Sequence, residues 1–268
     1  MQIDAPIGVF DSGVGGLTVV REMIRQLPSE NIVYFGDTAR VPYGTKSRDT
    51  IISYSEQIVN FLMTKQVKAI VVACNTATSY ALDVLKEKID IPIIGVVRPG
   101  ALTAVNTTRN GKVGVIATEG TVGSGIYPEV IREYNPDIQV IQKACPLLVS
   151  FVEEGWTDDP VTDEVARRYL RSVQNSGVDT LVLGCTHFPL LRKAIGKLVG
   201  DQVTLVNPAY ETARSLKELL IKEGIYRETG EPSYHFFVSD GADKFSRFAN
   251  SILPVDLVPT RLVPIENY

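Results

Sequence analysis

Ala69-Ile-Val-Val-Ala-Cys74-Asn-Thr76 and Thr180-Leu-Val-Leu-Gly-Cys185-Thr-His187 are two copies of one pattern, 111 positions apart (74 to 185). In each, an apolar run ends on a cysteine and small polar residues follow. The runs lack polar alternation, so strands built from them have both faces covered, as in a parallel sheet. Two further matches fall in the same order. Ile7-Gly-Val-Phe-Asp11-Ser12 lies on Val113-Gly-Val-Ile-Ala117-Thr118 at an offset of 106, and Ile93–Arg98-Pro99 lies loosely on Thr204–Asn207-Pro208 at an offset of 109. Each match alone is weak, because apolar strands resemble one another. Three in order at nearly one offset predict two similar α/β lobes; the bland alternative is a single sheet with repetitive strands.

Outward from these copies the chain keeps alternating. Ile7–Phe10, Asn31–Phe35, Lys68–Ala73, Ile93–Val97, Lys112–Ala117, Ile138–Gln142, Thr180–Gly184 and Val203–Val206 read as strands, and Tyr234–Val238 has strand chemistry. Helical periodicity covers a stretch after Gly16, where Leu17, Val20, Ile24 and Leu27 share a stripe closed by Pro28. It recurs over about Arg48–Thr64, Thr76–Lys88, Thr162–Ser176 and Glu211–Glu223. This is an α/β signature, and no Pro/Gly/Ser linker divides it.

Composition narrows the classes. At 268 residues the chain has room for about two domains. A net charge of −4 argues against a general nucleic-acid surface. Three cysteines without a CxxC pair and two histidines argue against a disulfide scaffold and a metal centre. The N-terminus has neither a basic start nor an apolar core, and the longest apolar runs fall far below a membrane span. These features predict a cytoplasmic protein with reduced thiols and no membrane partner.

Ligands of parallel α/β sheets bind beyond the carboxyl ends of the strands. One such end is Asp11-Ser12-Gly13-Val14-Gly15-Gly16, where glycines turn the chain into a helix and Asp11 reads as a candidate site acid or a helix N-cap. It fails the dinucleotide pattern at Thr18 and lacks the phosphate-loop lysine, although Asp37 sits where a ribose-binding acid would. Cys74-Asn75-Thr76 and Cys185-Thr186-His187 each put a thiol at a strand end, where a following helix would favour the thiolate. The adjacent Asn and Thr side chains can donate to a bound carboxylate. A pseudo-twofold relation between the lobes would set the two thiols face to face across a cleft. One thiolate would then remove a proton from a stereocentre while the other thiol delivers one to the opposite face. A Cys–His hydrolase needs only Cys185 and His187, and leaves Cys74 unexplained. Cys145 and His235 read as structural. Glu153 reads as a solvated helix acid or a site acid, and His187 as a core histidine or a proton-relay partner of Cys185.

Four blocks closely resemble glutamate racemase of the aspartate/glutamate racemase family. They are Ile7-Gly-Val-Phe-Asp11-Ser-Gly-Val-Gly-Gly-Leu-Thr18, Tyr34-Phe-Gly-Asp37-Thr-Ala-Arg40-Val-Pro-Tyr43-Gly44, Ala73-Cys74-Asn75-Thr76-Ala77 and Leu183-Gly-Cys185-Thr186-His187-Phe-Pro-Leu190, in the family's order. Aspartate racemases share the two-cysteine plan without the full set. The resemblance implies two α/β lobes, residues 1–97 plus 209–268 and residues 98–208, with the active site in the cleft between them. It implies a bacterial isomerase that interconverts L- and D-glutamate without pyridoxal phosphate, metal or nucleotide, for peptidoglycan synthesis, cell wall biogenesis and cell shape. It implies Cys74 acting on the D-enantiomer and Cys185 on the L-enantiomer, Asp11 assisting Cys74, and Glu153 and His187 assisting Cys185. Asp11, Ser12, Tyr43, Gly44, Asn75, Thr76, Thr186 and His187 match the family's substrate contacts, as do Thr118 and Thr121 of the second lobe. It leaves open a homodimer, since family members pair through different faces.

Three segments depart from the family pattern: Asn207-Pro208-Ala209, Arg98-Pro99-Gly100 and Thr118-Glu119-Gly120. Only about six residues precede the first strand, so regulation by a wall precursor through an N-terminal extension is not expected. Whatever the substrate acid, its Cα proton is far less acidic than a thiol. With no cofactor as electron sink, donors such as Ser12, Asn75, Thr76 and Thr186 must carry the charge.

Overall fold

The computed structural model describes residues 3–255 and 260–268. The chain begins with β1 (Ile7–Asp11), α1 (Leu17–Gln26), β2 (Ile32–Gly36), α2 (Arg48–Met63), β3 (Ala69–Val72), α3 (Asn75–Lys86) and β4 (Ile93–Gly95). After α4 (Val97–Thr107) come β5 (Lys112–Ala117), α5 (Glu119–Ser124), α6 (Ile126–Tyr134), β6 (Gln139–Ala144) and α7 (Leu147–Glu153). Next are α8 (Pro160–Asn175), β7 (Thr180–Gly184), α9 (Arg192–Val199) and β8 (Thr204–Val206). The chain closes with α10 (Pro208–Lys222), β9 (Tyr234–Val238), α11 (Ala242–Ile252) and β10 (Arg261–Leu262).

Two parallel sheets result, one ordered β10-β9-β2-β1-β3-β4 and the other β6-β5-β7-β8. Stripped of β9 and β10, both follow one plan: first strand inside, second on one flank, third and fourth on the other. The registers agree as well. Ile7 pairs with Ala69 and Val113 pairs with Thr180, the partners that the offsets of 106 and 111 require. The third match is less exact. Ile70 pairs with Ile93 and Leu181 with Leu205, which sets that strand three residues away from an alignment made on the prolines.

The inner strands are apolar because helices cover both faces. All residues of β1, β2, β3 and β7 are buried, whereas the edge strand β6 carries Gln139, Gln142 and Lys143 and is only partly covered. Four apolar clusters fill the faces, two against the first sheet and two against the second. Some predicted bounds shift. The strand expected over Ile93–Val97 ends at Gly95, because Val97 begins α4. Helix α10 starts three residues early, at Pro208, where the Asn207 side chain accepts from the Ala209 amide as N-cap.

Candidate active site

Both thiols open onto one cavity of about 270 Å³, and each is 5 % exposed, so the cavity is where they meet solvent. Cys74 follows β3 and is itself the N-cap of α3, its sulfur accepting from the Ala77 amide at 3.5 Å. Cys185 follows β7, but a tight turn over Phe188–Leu191 stands where a long helix does in the other lobe. The expected pair of helix starts is therefore present at one thiol only.

The surroundings differ further. Burial, then the Asp11 charge, pushes the Cys74 thiol up to about 12, against the lowering effect of the Ala77 amide and the Ser12 hydroxyl. Burial thus overrides the thiolate-favouring helix start expected from sequence. Asp11 is fully buried, and burial raises its carboxyl despite the positive charge of His187 and amide donors at Gly16, Gly13 and Ser12. Its Oδ2 accepts from the Gly16 and Gly13 amides at 2.8 and 3.2 Å, while Oδ1 has no partner among the described residues. The Ser12 Oγ lies 3.7 Å from Cys74 Sγ.

On the other side a chain of three groups forms. Cys185 Sγ is 3.7 Å from His187 Nδ1, and His187 Nε2 is 3.0 Å from Glu153 Oε1. Burial alone would lower the imidazole, but its hydrogen bonds to Cys185 and Glu153 outweigh burial and push it up to about 10. Burial opposes ionisation of Glu153, yet the His187 hydrogen bond and charge, with Lys244, hold its carboxyl below the usual range. At neutral pH His187 and Glu153 thus form an imidazolium–carboxylate pair, with the imidazolium edge facing the Cys185 sulfur.

Of the residues singled out by sequence, Ser12, Tyr43, Gly44, Cys74, Asn75, Thr76, Thr118, Glu153, Cys185, Thr186 and His187 line the cavity. Asp11 and Thr121 do not. Thr121 is fully buried behind Thr76, whose hydroxyl is 3.2 Å from that of Thr121 and 2.9 Å from that of Thr118. Tyr43 turns its hydroxyl away, donating to Asp37 Oδ2 at 2.5 Å. Asp37 also takes Arg40 and Ser239, which leaves it no part in holding a ribose. Asn207 lines a separate cavity with Arg21, Arg192 and Glu211. Cys145 is fully buried in the core under α7 and α8. Val41, Pro42 and Thr45, beside Tyr43 and Gly44, also line the thiol cavity, as do Glu119, Pro146, Leu147, Val149 and Ser150, which no site motif marked, since single residues of a helix start carry no periodic signal. A larger cavity of about 460 Å³ shares Val41 and Glu153 with this one, but neither thiol opens onto it.

Among the described residues, no three His, Cys, Asp or Glu side chains are grouped to hold a metal ion, and no helix is long and apolar enough to cross a membrane. Two like α/β lobes, each sending one thiol into a shared cavity ringed by hydroxyl and amide donors, define an amino-acid isomerase by fold and site. The family profile of Asp/Glu/hydantoin racemases matches residues 7–216. A glutamate racemase from Geobacter metallireducens is 52 % identical over 248 residues, 92 % of each chain. The crystal structure of a glutamate racemase isoform from Bacillus anthracis superposes with a TM-score of 0.94 at 40 % identity, over 97 % of each chain. That of a glutamate racemase from Francisella tularensis, solved with D-glutamate, superposes with a TM-score of 0.93 at 38 % identity, over 99 % of this chain and 100 % of that one. The chain belongs to the aspartate/glutamate racemase family, among its glutamate racemases.

Proposed function

We propose that the chain interconverts L- and D-glutamate by proton transfer at Cα between Cys74 and Cys185, with no cofactor. The observation that carries this reading is the opening of both thiols, from matching strands of two like sheets, onto one cavity. The Francisella structure, described with D-glutamate, supports glutamate as the substrate.

In this reading each thiol serves one enantiomer, Cys74 the D-form and Cys185 the L-form. The deprotonated thiol takes the Cα proton and the opposite thiol returns one to the other face. The His187 imidazolium stands 3.7 Å from the Cys185 sulfur as its proton-relay partner, and Glu153 holds the ring with Nδ1 toward sulfur. Cys74 has no such cation. Its proton must leave against burial and against Asp11, so Ser12 and Asp11 act as its proton partners. Ser12, Asn75, Thr76 and Thr186 donate to the substrate carboxylates and share the carbanionic charge. The product D-glutamate serves peptidoglycan synthesis, as in the family the chain resembles.

Racemisation in D2O is expected to place deuterium at Cα of both enantiomers. Cys74→Ser and Cys185→Ser are each expected to lower kcat at least about a hundredfold. Full racemisation by both variants would reject the two-thiol reading, and turnover of aspartate with none of glutamate would reject the substrate.

A further inference from the structure

Tyr127 is absent from every motif above and does not line the cavity. Its ring is fully buried in the apolar cluster of the second sheet, beside Val97, Val115, Ala117 and Val182. Gly125, in the left-handed conformation at φ 70°, breaks the chain between α5 and α6 and so aims Tyr127 inward from the first turn of α6. The ring lies under the strand end that carries Cys185: a Cβ built on Gly184 would stand 3.1 Å from Tyr127 Cε2. A buried tyrosine needs a partner for its hydroxyl. Here the hydroxyl crosses to the other lobe and donates to Asn75 Oδ1 at 2.8 Å.

That bond has a consequence for Asn75. The amide group has two orientations of equal shape, and only its hydrogen bonds choose between them. With Oδ1 engaged by a donor that has no other partner, Nδ2 must take the opposite side. The bond to Tyr127 is the one side-chain hydrogen bond that Asn75 makes among the described residues, and Asn75 lines the cavity. Both N–H groups are thereby free for a ligand. The reverse orientation would present the amide oxygen to an anion and oppose its binding.

We propose that Tyr127 is a positioning residue that holds the Asn75 amide with its NH2 turned into the cavity, as a donor to a carboxylate of the bound amino acid. Because the phenol belongs to one lobe and the amide to the other, closing the cleft and orienting the donor become one event. Burial and the nearby Cys185 raise the phenol's pKa, so it stays a donor throughout the working range. The proposal rests on the reading of the cavity as a glutamate site, but not on the thiol chemistry.

The test is D-glutamate binding, measured by calorimetry on the Cys74→Ser/Cys185→Ser protein, where no proton transfer takes place. Tyr127→Phe in that background is expected to weaken binding about tenfold. In the active protein it is expected to lower kcat/KM for both enantiomers by at least that factor, because Asn75 meets both the bound substrate and the carbanionic state. With Asn75→Ala already present, Tyr127→Phe is expected to cost nothing further. An unchanged affinity, or an equal loss with and without Asn75, overturns the proposal. A second reading needs no tyrosine variant. The side-chain amide resonances of Asn75, assigned by their loss in Asn75→Ala, are expected to exchange freely without ligand and to shift and become protected on adding D-glutamate; no shift and no gain of protection overturns the proposal. D-Glutamate binding without racemisation would sink the two-thiol reading alone, and absence of binding to the unmodified protein would sink both.

Discussion

Two cysteines that look equivalent in sequence sit in unlike electrostatic settings. Cys74 has a buried carboxyl as neighbour, and Cys185 has a cation. The difference is one of surroundings: burial and the Asp11 carboxyl raise Cys74, whereas the sulfur of Cys185 faces an imidazole that is tied in turn to Glu153. It also links stability to pH through His187. The folded imidazole stands at about 10 against an ordinary 6.5, so its contribution is complete below the unfolded value and disappears as pH rises through about 10. Glu153 works in the other sense. Its folded carboxyl is lowered, so its contribution is present above the ordinary 4.5 and is lost as pH falls through the folded value. Both are in place between about pH 5 and 6.5. Thermal melts of the parent and of His187→Gln are therefore expected to differ most in that window and to converge towards pH 10; a difference that grows with pH would contradict the pairing.

At the scale of elements, the ends of the strands away from the cavity are held by a buried ion pair. Lys68, just before β3, pairs with Glu30 at 2.6 Å, off the hydrogen-bond axis, with both side chains fully buried. The Lys68 ammonium also donates to the carbonyls of Ile3 and Ile225, and Glu30 accepts from the Arg227 amide. One lysine so ties the chain start, the α1–β2 loop and the α10–β9 connection to the base of β3. Lys68→Met is expected to cost about 3–5 kcal/mol in denaturant unfolding, since it strands a buried carboxylate, and Lys68→Met with Glu30→Leu is expected to recover only part, because the Arg227 amide then loses its acceptor. Nothing in the sequence announced this pair. What could be read were the buried strands, which lack alternation because both faces are covered, and the site residues at their ends, which carry small polar groups where apolar ones should continue. The helices after Gly100 were harder. Helices α5 and α7, of six and seven residues, are too short to show a period. Their residues reach the cavity only because the second sheet places them there. Tyr127 was invisible for the same reason, as a lone aromatic at the start of α6 looks like any core residue.

Across the whole molecule, apolar packing and lobe contact are divided. The apolar clusters lie mostly within one lobe or the other, with Phe248 packing against one of each, and several contacts over the cleft are polar or made by glycine. Thr18 Oγ1 donates to the Thr186 carbonyl at 2.8 Å, and Tyr80 Oη, on α3, donates to the Gly120 carbonyl of α5 at 2.9 Å. Gly44 and Gly120 allow the lobes to approach, since a Cβ on Gly44 would stand 2.9 Å from Thr118 and one on Gly120 would stand 3.0 Å from Thr76. An interface of this kind closes and opens at small cost, unlike a fused apolar core. A ligand held by groups from both lobes then binds the closed form, and its apparent affinity falls with the closed fraction. Tyr80 separates this effect from direct contact, because it touches the opposite lobe without lining the cavity. Tyr80→Phe removes one hydrogen bond of the closed form, which the open form replaces with water. D-Glutamate is expected to bind about 2- to 5-fold more weakly to it by calorimetry, with both enantiomers affected alike. An unchanged affinity would mean that the lobes stay closed without that bond, and that closure adds nothing to the affinity measured.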